Sequence, residues 1–167
     1  LIQAAEKTAA SQPTAASEKR LAELYRQKKD YDKALEHYNR VVERTGTMDP
    51  AIDSAITKVL GERFDDAIAQ WREYGETNPA NREEAERNIS EIKKQKEETL
   101  FERCSERVRR YPNDPEYRYE LGEKYFQRQQ YDEALSQFQI AQRNPKLRRK
   151  SLVYLGKCMA KKGLTDM

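Results

Sequence analysis

Chemistry in this chain would have to come from few side chains. His37 is the single histidine, and Cys104 and Cys158 are the two cysteines. The cysteines show no CxxC spacing and have only His37 as a further soft ligand, so no zinc-site pattern is present. Both read as small, half-buried hydrophobes in a reducing compartment, which points to a cytoplasmic rather than a secreted protein. His37 follows Ala34 by three residues on a helical pattern. It is expected at a solvent-facing or rim position, without the oriented partners that general-base or nucleophilic work requires. The sequence contains no Gly-rich phosphate loop, GxSxG or HExxH. Carboxylates alternate with basic residues at helical spacing, as in Glu83/Glu84/Arg87 and Glu102/Glu106/Arg110. Such patterns make solvated faces held by i,i+4 pairs of about 0.2 to 0.5 kcal/mol each. No catalytic residue, metal or cofactor is expected.

The basic residues carry a stronger signal. From Ala134 to Thr165 there is no Asp or Glu, while Arg143, Lys146, Arg148, Arg149, Lys150, Lys157, Lys161 and Lys162 are all cationic. The patch from Arg143 to Lys150 would draw an acidic protein surface or a neighbouring helix. Nucleic acid would also be favoured through counterion release, but aromatic interleaving and a nucleic-acid motif are lacking, so it is the less favoured partner. No run approaches 18 apolar residues and the N-terminus lacks a basic start followed by an apolar centre. No membrane insertion by this segment is expected.

The elements that must position these residues follow from the hydrophobic pattern. Only 28 of 167 residues are Leu, Ile, Val or Phe, yet net charge is just +3 and Ala and Tyr recur periodically. That combination fits thin helical layers, each burying a narrow stripe, better than disorder or one deep core. Pro13, Gly46, Pro79, Pro112 and Pro145 are spaced 33 apart, each where a helix should stop. Ala34, Ala67, Leu100 and Ala134 run in step with them, followed by Tyr38, Trp71, Cys104 and Phe138.

The best-formed copy lies between Tyr117 and Pro145, where Leu121, Gly122 and Tyr125 precede Ala134, Phe138 and Ala141. Leu-Gly, Tyr, Ala, an aromatic, Ala and Pro in that order resemble the tetratricopeptide repeat, a helix-turn-helix unit of about 34 residues. The resemblance implies an all-α right-handed superhelix of antiparallel helix pairs. It divides the chain into a second helix of a truncated preceding repeat (1–12), repeats at 15–46 and 49–79, a degenerate unit at 81–111, the best repeat at 115–145, and a first helix of a truncated following repeat (147–167). The chain is thus expected to be a piece of a longer array. Within 49–79, Ile52, Ala55 and Ile56 should lie on one helix and Phe64, Ala67, Ile68 and Trp71 on its antiparallel partner. The degenerate unit has Asn88 at the small position, Glu97 at the aromatic one and strong helix formers in place of a turn. It is expected as one long helix from about Arg82 to Arg110, joining two repeat blocks as a rod. After Pro145, Leu152, Leu155 and Met159 are expected to pack on the preceding helix.

Function follows from the same resemblance. Members of the family grip a peptide or partner helix on the concave surface lined by first helices. The matching positions are Lys19, Glu23 and Arg26 in the first repeat, Glu116, Tyr119, Glu123 and Phe126 in the best repeat, and Lys150, Val153, Lys157 and Lys161 at the end. Tyr119 and Phe126 are candidate aromatic anchors. Some members clamp a C-terminal carboxylate with Lys and Asn; here the Asn positions carry Arg20, Glu23, Glu120, Glu123 and Tyr154, which argues against a chaperone-tail ligand. The implied protein is a non-catalytic interaction scaffold binding a protein or peptide. A self-assembling module, pairing end helices or the long helix with another copy, is the alternative.

Overall fold

The computed structural model describes residues 2–163; the ends of the first and last expected segments, at residue 1 and residues 164–167, lie outside them. Among the described residues the chain is all-α, with eight α-helices, one 3₁₀ turn at Pro79–Asn81 and no strand. The helices are α1 (Ile2–Ser11), α2 (Ala15–Gln27), α3 (Tyr31–Thr45), α4 (Pro50–Thr77), α5 (Arg82–Arg110), α6 (Pro115–Gln127), α7 (Tyr131–Ala141) and α8 (Pro145–Lys161). Helices pack on their neighbours in sequence, α1 on α2, α2 on α3 and α3 on α4, and likewise α6 on α7 and α7 on α8. Contacts divide the chain into one unit up to Leu100 and another from Phe101, the division falling within α5.

In the first unit, α2 starts at a capping box in which Thr14 Oγ1 accepts from Ser17 N at 3.1 Å and Ser17 Oγ accepts from Thr14 N at 2.9 Å. The chain turns into α3 through Lys29, which takes a left-handed φ of 64°, and Asp30 then caps α3 by accepting from Lys33 N. Gly46, with φ 66°, ends α3. The core is built from Leu21, Ala22 and Tyr25 of α2, Ala34, Tyr38 and Val41 of α3, and Ile52, Ile56 and Val59 of α4, with Ala5 and Ala9 of α1 against them. These positions recur every three or four residues, so each helix contributes one stripe.

The expected hairpin at 49–79 does not form: α4 is a single helix of 28 residues. The reason lies in the ties that this stretch makes to the preceding repeat. In the turn between α2 and α3, Lys28 is still right-handed and Lys29 is the left-handed residue. One repeat later these places hold Gly61 and Glu62. Both formed hairpins hold that left-handed place with a non-glycine residue, Lys29 or Gln129, so Glu62 does not by itself bar the turn. Arg63 replaces the capping Asp30 and cannot accept a backbone N–H. The straight helix is also tied at this point. Glu62 accepts from Arg26 Nη1 at 2.7 and 2.9 Å, Arg63 pairs with Asp32 at 3.2 Å, and Asp66 accepts from Tyr31 Oη at 2.7 Å and Lys29 Nζ at 3.0 Å. The degenerate unit is, as expected, one helix, α5, from Arg82 to Arg110.

In the second unit, Asp114 accepts from the N–H groups of Glu116 and Tyr117, with Pro115 in the first turn of α6. Gln129, with φ 60°, turns the chain into α7. A Cβ on Gly122 would lie 2.8 to 3.0 Å from three ring carbons of Phe138, so only glycine lets α6 and α7 approach this closely. Cys104, Val108 and Leu121 form one buried cluster and Ala134, Phe138, Leu155 and Cys158 another. On α8 the buried side is Ser151, Leu155 and Cys158. This corrects the expected packing of Leu152 and Met159, which are 50% and 43% exposed. The small Ser151 and Cys158 allow close approach, which rotates the helix by about one residue from the face that size alone suggests.

Candidate protein-binding surface

In the first unit the matched positions are already engaged. Lys19 is exposed, but Glu23 and Arg26 belong to a charged chain joining α2 to α4. Arg26 donates to Glu23 at 2.5 and 3.0 Å and, from its other side, to Glu62; Tyr38 Oη donates to Glu23 at 3.4 Å. The Arg26 hydrogen bond holds the Glu23 carboxyl below its ordinary pKa, and the two carboxylates hold the guanidinium charged. A ligand at Glu23 or Arg26 would have to break this network.

His37 is not at a rim. It is buried, with Nδ1 2.7 Å from Glu18 Oε2, and its ring stacks on Tyr25 at 5.4 Å between centroids. Arg44 Nη2 donates to the other oxygen of Glu18 at 3.4 Å. The arrangement satisfies a buried carboxylate between α2 and α3 and leaves the imidazole without an open side for a substrate. Both cysteines are buried and neither is in a disulfide. Burial pushes the Cys158 thiol pKa up, so it stays protonated and unreactive. Among the described residues no three His, Cys, Asp or Glu side chains are grouped to hold a metal, and no helix is long and apolar enough to cross a membrane.

The second unit brings its matched positions together. Tyr119 and Phe126 of α6 both meet Tyr154 of α8 edge to face, at 6.0 and 5.3 Å. Tyr154 in turn stacks on Phe138 at 4.7 Å, and Tyr131 of α7 meets Phe126 at 5.6 Å. Tyr119 and Phe126 thus help build the cluster rather than project freely from it. Glu123 hydrogen-bonds both the Tyr119 and Tyr154 hydroxyls. Burial, then the Glu123 charge and hydrogen bond, push the Tyr119 pKa up to about 12. Glu116 is exposed at the start of α6. Along α8, Lys150, Val153, Lys157 and Lys161 are all exposed, Val153 by 51%, and Lys157 Nζ stands 5.0 Å from the Tyr154 ring centre. The result is an aromatic floor with a row of lysines beside it. Arg143, Lys146, Arg148 and Arg149 are exposed at the turn from α7 to α8, where Gln139, Gln142, Arg143, Pro145 and Arg148 surround an open depression.

Tyr154 and Glu62 are the residues that sequence reasoning did not pick out. Tyr154 stood only as a departure from an Asn position, although its spacing from Lys150, Lys157 and Lys161 places it on their face of the helix. Nothing in the sequence signalled that Glu62 would neutralise Arg26, because the two meet only if α4 stays straight.

A family model described as tetratricopeptide repeat matches residues 2–49 and 105–162, more than half of the chain. The unmatched stretch holds α4 and most of α5, the two helices that replace hairpins. No curated protein matches. Solved structures that match include YrrB, a tetratricopeptide-repeat protein with an unusual peptide-binding site, at 18% identity over 99% of this chain and 87% of that one, with a TM-score of 0.49. The MamA protein matches at 15% identity over 91% and 84%, with a TM-score of 0.46. Neither superposition reaches 0.5, so the assignment rests on the family model together with the helix pairs and the Gly122–Phe138 approach: this chain belongs to the tetratricopeptide repeat family.

Proposed function

We propose that the chain is a non-catalytic interaction scaffold, and that its second unit takes an acidic segment of a protein partner along the side of α6 and α8. The observation that carries this is the exposed row Lys150, Val153, Lys157 and Lys161 beside the cluster of Tyr119, Phe126 and Tyr154. Aromatic rings held by packing lose little conformational entropy when a ligand covers them. Lysines at the edge attract an acidic segment and set its direction, while the rings and Val153 supply apolar area. The cations at the turn, Arg143, Lys146, Arg148 and Arg149, extend the same field and would speed encounter.

Selection from a random peptide library on the full chain tests this reading. Acidic sequences with apolar residues are expected, with affinity falling at least about tenfold in the Lys150→Glu/Lys157→Glu/Lys161→Glu variant, a loss of about 1.4 kcal/mol or more. Peptides that bind the variant equally well would place the docking surface elsewhere. Preferential binding of single-stranded nucleic acid, with a steep fall of log affinity on log salt, would replace the protein partner by a nucleic acid.

A further inference from the structure

Helix α8 repeats α6 on one side and is left uncovered on the next. The two share a Leu-Gly pair, Leu121-Gly122 and Leu155-Gly156. In α6, Tyr117 and Leu121 lie against Cys104 and Val108 of α5. In α8 the matching Ser151 and Leu155 are likewise buried, Leu155 and Cys158 lying with Ala134 and Phe138 of α7. The adjoining side of α6 carries α7. There Arg118 Nη1 donates to Gln137 Oε1 at 2.8 Å, Phe138 covers Gly122, and Tyr125 packs on the Phe138 cluster. On α8 those three places hold Leu152, Gly156 and Met159, and all three are exposed.

Leu152, Gly156 and Met159 are four and three residues apart, so they form one stripe along the helix. Leu152 and Met159 supply apolar area on either side of the glycine. The seat that Phe138 fills over Gly122 is open over Gly156, where an added Cβ would have no neighbour within 4 Å. Bare backbone at that place lets a second helix come close. The seat is apolar and its border is cationic. Arg148 and Arg149 flank the stripe at the start of α8 and, with Leu152, border a shallow cleft of about 520 Å³. Among the described residues neither arginine is ion-paired, and α8 contains no Asp or Glu. A second copy has no ring free for the seat. At the equivalent places Tyr38 and Phe138 are buried in their own hairpins, and Trp71 lines a cleft with Gly75, Ala85 and Ile89.

We propose that this side of α8 docks an amphipathic helix of a partner protein, antiparallel to α8, with an aromatic side chain seated on Gly156. About two turns after that residue the incoming helix reaches the level of Arg148 and Arg149, and carboxylates there pair with them. The arrangement is the one by which α7 lies on α6, an amphipathic helix laid along an apolar groove. The stripe lies roughly 150° around α8 from Lys150, Lys157 and Lys161. It is therefore a second surface and does not depend on the peptide-binding reading.

The probe is a fluorescent synthetic peptide with the α7 sequence, Tyr131–Ala141, followed by Gln-Ala-Ala-Glu-Glu, titrated onto the full chain and read by anisotropy. Saturable binding of one peptide per chain is expected. Gly156→Leu, which fills the seat, should weaken it at least about tenfold, as should alanine in place of the peptide's phenylalanine. Unchanged helical circular dichroism checks that the variant folds. Arg148→Glu/Arg149→Glu should weaken binding about tenfold, and lysines in place of the peptide's two added glutamates should restore it, a rescue that loss of structure would not give. No binding at millimolar peptide, or binding indifferent to Gly156→Leu, overturns the proposal. So does self-association of the chain that Gly156→Leu abolishes, because the occupant is then a second copy.

Discussion

At the residue scale, two glycines of the second unit look alike in sequence and behave oppositely. Leu121-Gly122 and Leu155-Gly156 are the same motif 34 residues apart. A Cβ at Gly122 would meet Phe138 at 2.8 Å, and that ring is itself held on its other neighbour by the stack with Tyr154. A Cβ at Gly156 would meet nothing within 4 Å. Alanine gains up to about 1 kcal/mol over glycine within a helix, but overpacking a tight core costs about 1 to 3 kcal/mol. Gly122→Ala should therefore lower the urea midpoint and Gly156→Ala should raise it. If both moved the same way, the close approach of α6 and α7 would not be the governing contact.

At the scale of elements, helix ends show how interchangeable the repeats are. Asp30 and Gln130 begin α3 and α7 with almost the same backbone, φ −86°, ψ 73° and φ −87°, ψ 73°. Asp30 accepts from a first-turn N–H and Gln130 makes no such bond. Gln130→Asp should supply the missing cap and add about 0.5 to 1 kcal/mol, seen as a higher urea midpoint at unchanged slope. An unchanged midpoint would mean that the turn through Gln129 already satisfies that helix end. The contrast with α4 is instructive. Loss of the cap alone does not join two helices, since α7 begins without one; α4 is in addition held straight by the ties of Glu62, Arg63 and Asp66 to the preceding repeat, and a single Gly within a helix costs only about 1 kcal/mol.

At the scale of the whole molecule, polar ties between helices set the pH range of stability. Tyr25 is pushed up to about 12 by its hydrogen bond to Glu6, and Tyr31 to about 12 by burial and then its bond to Asp66; Tyr119 joins them through burial and Glu123. Each tyrosine is held neutral in the folded chain more firmly than its ordinary pKa of 10.0. Their contribution is fully present below about pH 10 and is lost as pH rises from there through about 12, because the unfolded chain ionises first. Unfolding midpoints should fall steeply over that window, with tyrosinate absorbance at 295 nm rising together with loss of helix. Tyrosinate appearing near pH 10 in a still-folded chain would contradict these part-buried hydrogen bonds. On the acid side, Tyr31 and Lys29 hold the Asp66 carboxyl below its ordinary value. That contribution is present above the ordinary pKa and disappears as pH falls through the lowered one.

The 33-residue spacing of helix breakers and the small, Ala and aromatic series determined the repeat and its all-helical class, because stripes at helical spacing must be buried against a neighbour wherever they occur. They determined α5 as well, since strong helix formers in place of a turn leave nothing to stop the helix. The tertiary structure alone decided that α4 stays straight, because the residues that hold it there, Arg26, Lys29, Tyr31 and Asp32, lie a repeat away and act through space. It also decided which side of α8 faces inward, and it turned Tyr119 and Phe126 into members of an aromatic cluster around Tyr154. A one-dimensional pattern gives the spacing of a stripe, but its rotation and its neighbours depend on how small residues such as Ser151, Cys158 and Gly122 let helices approach.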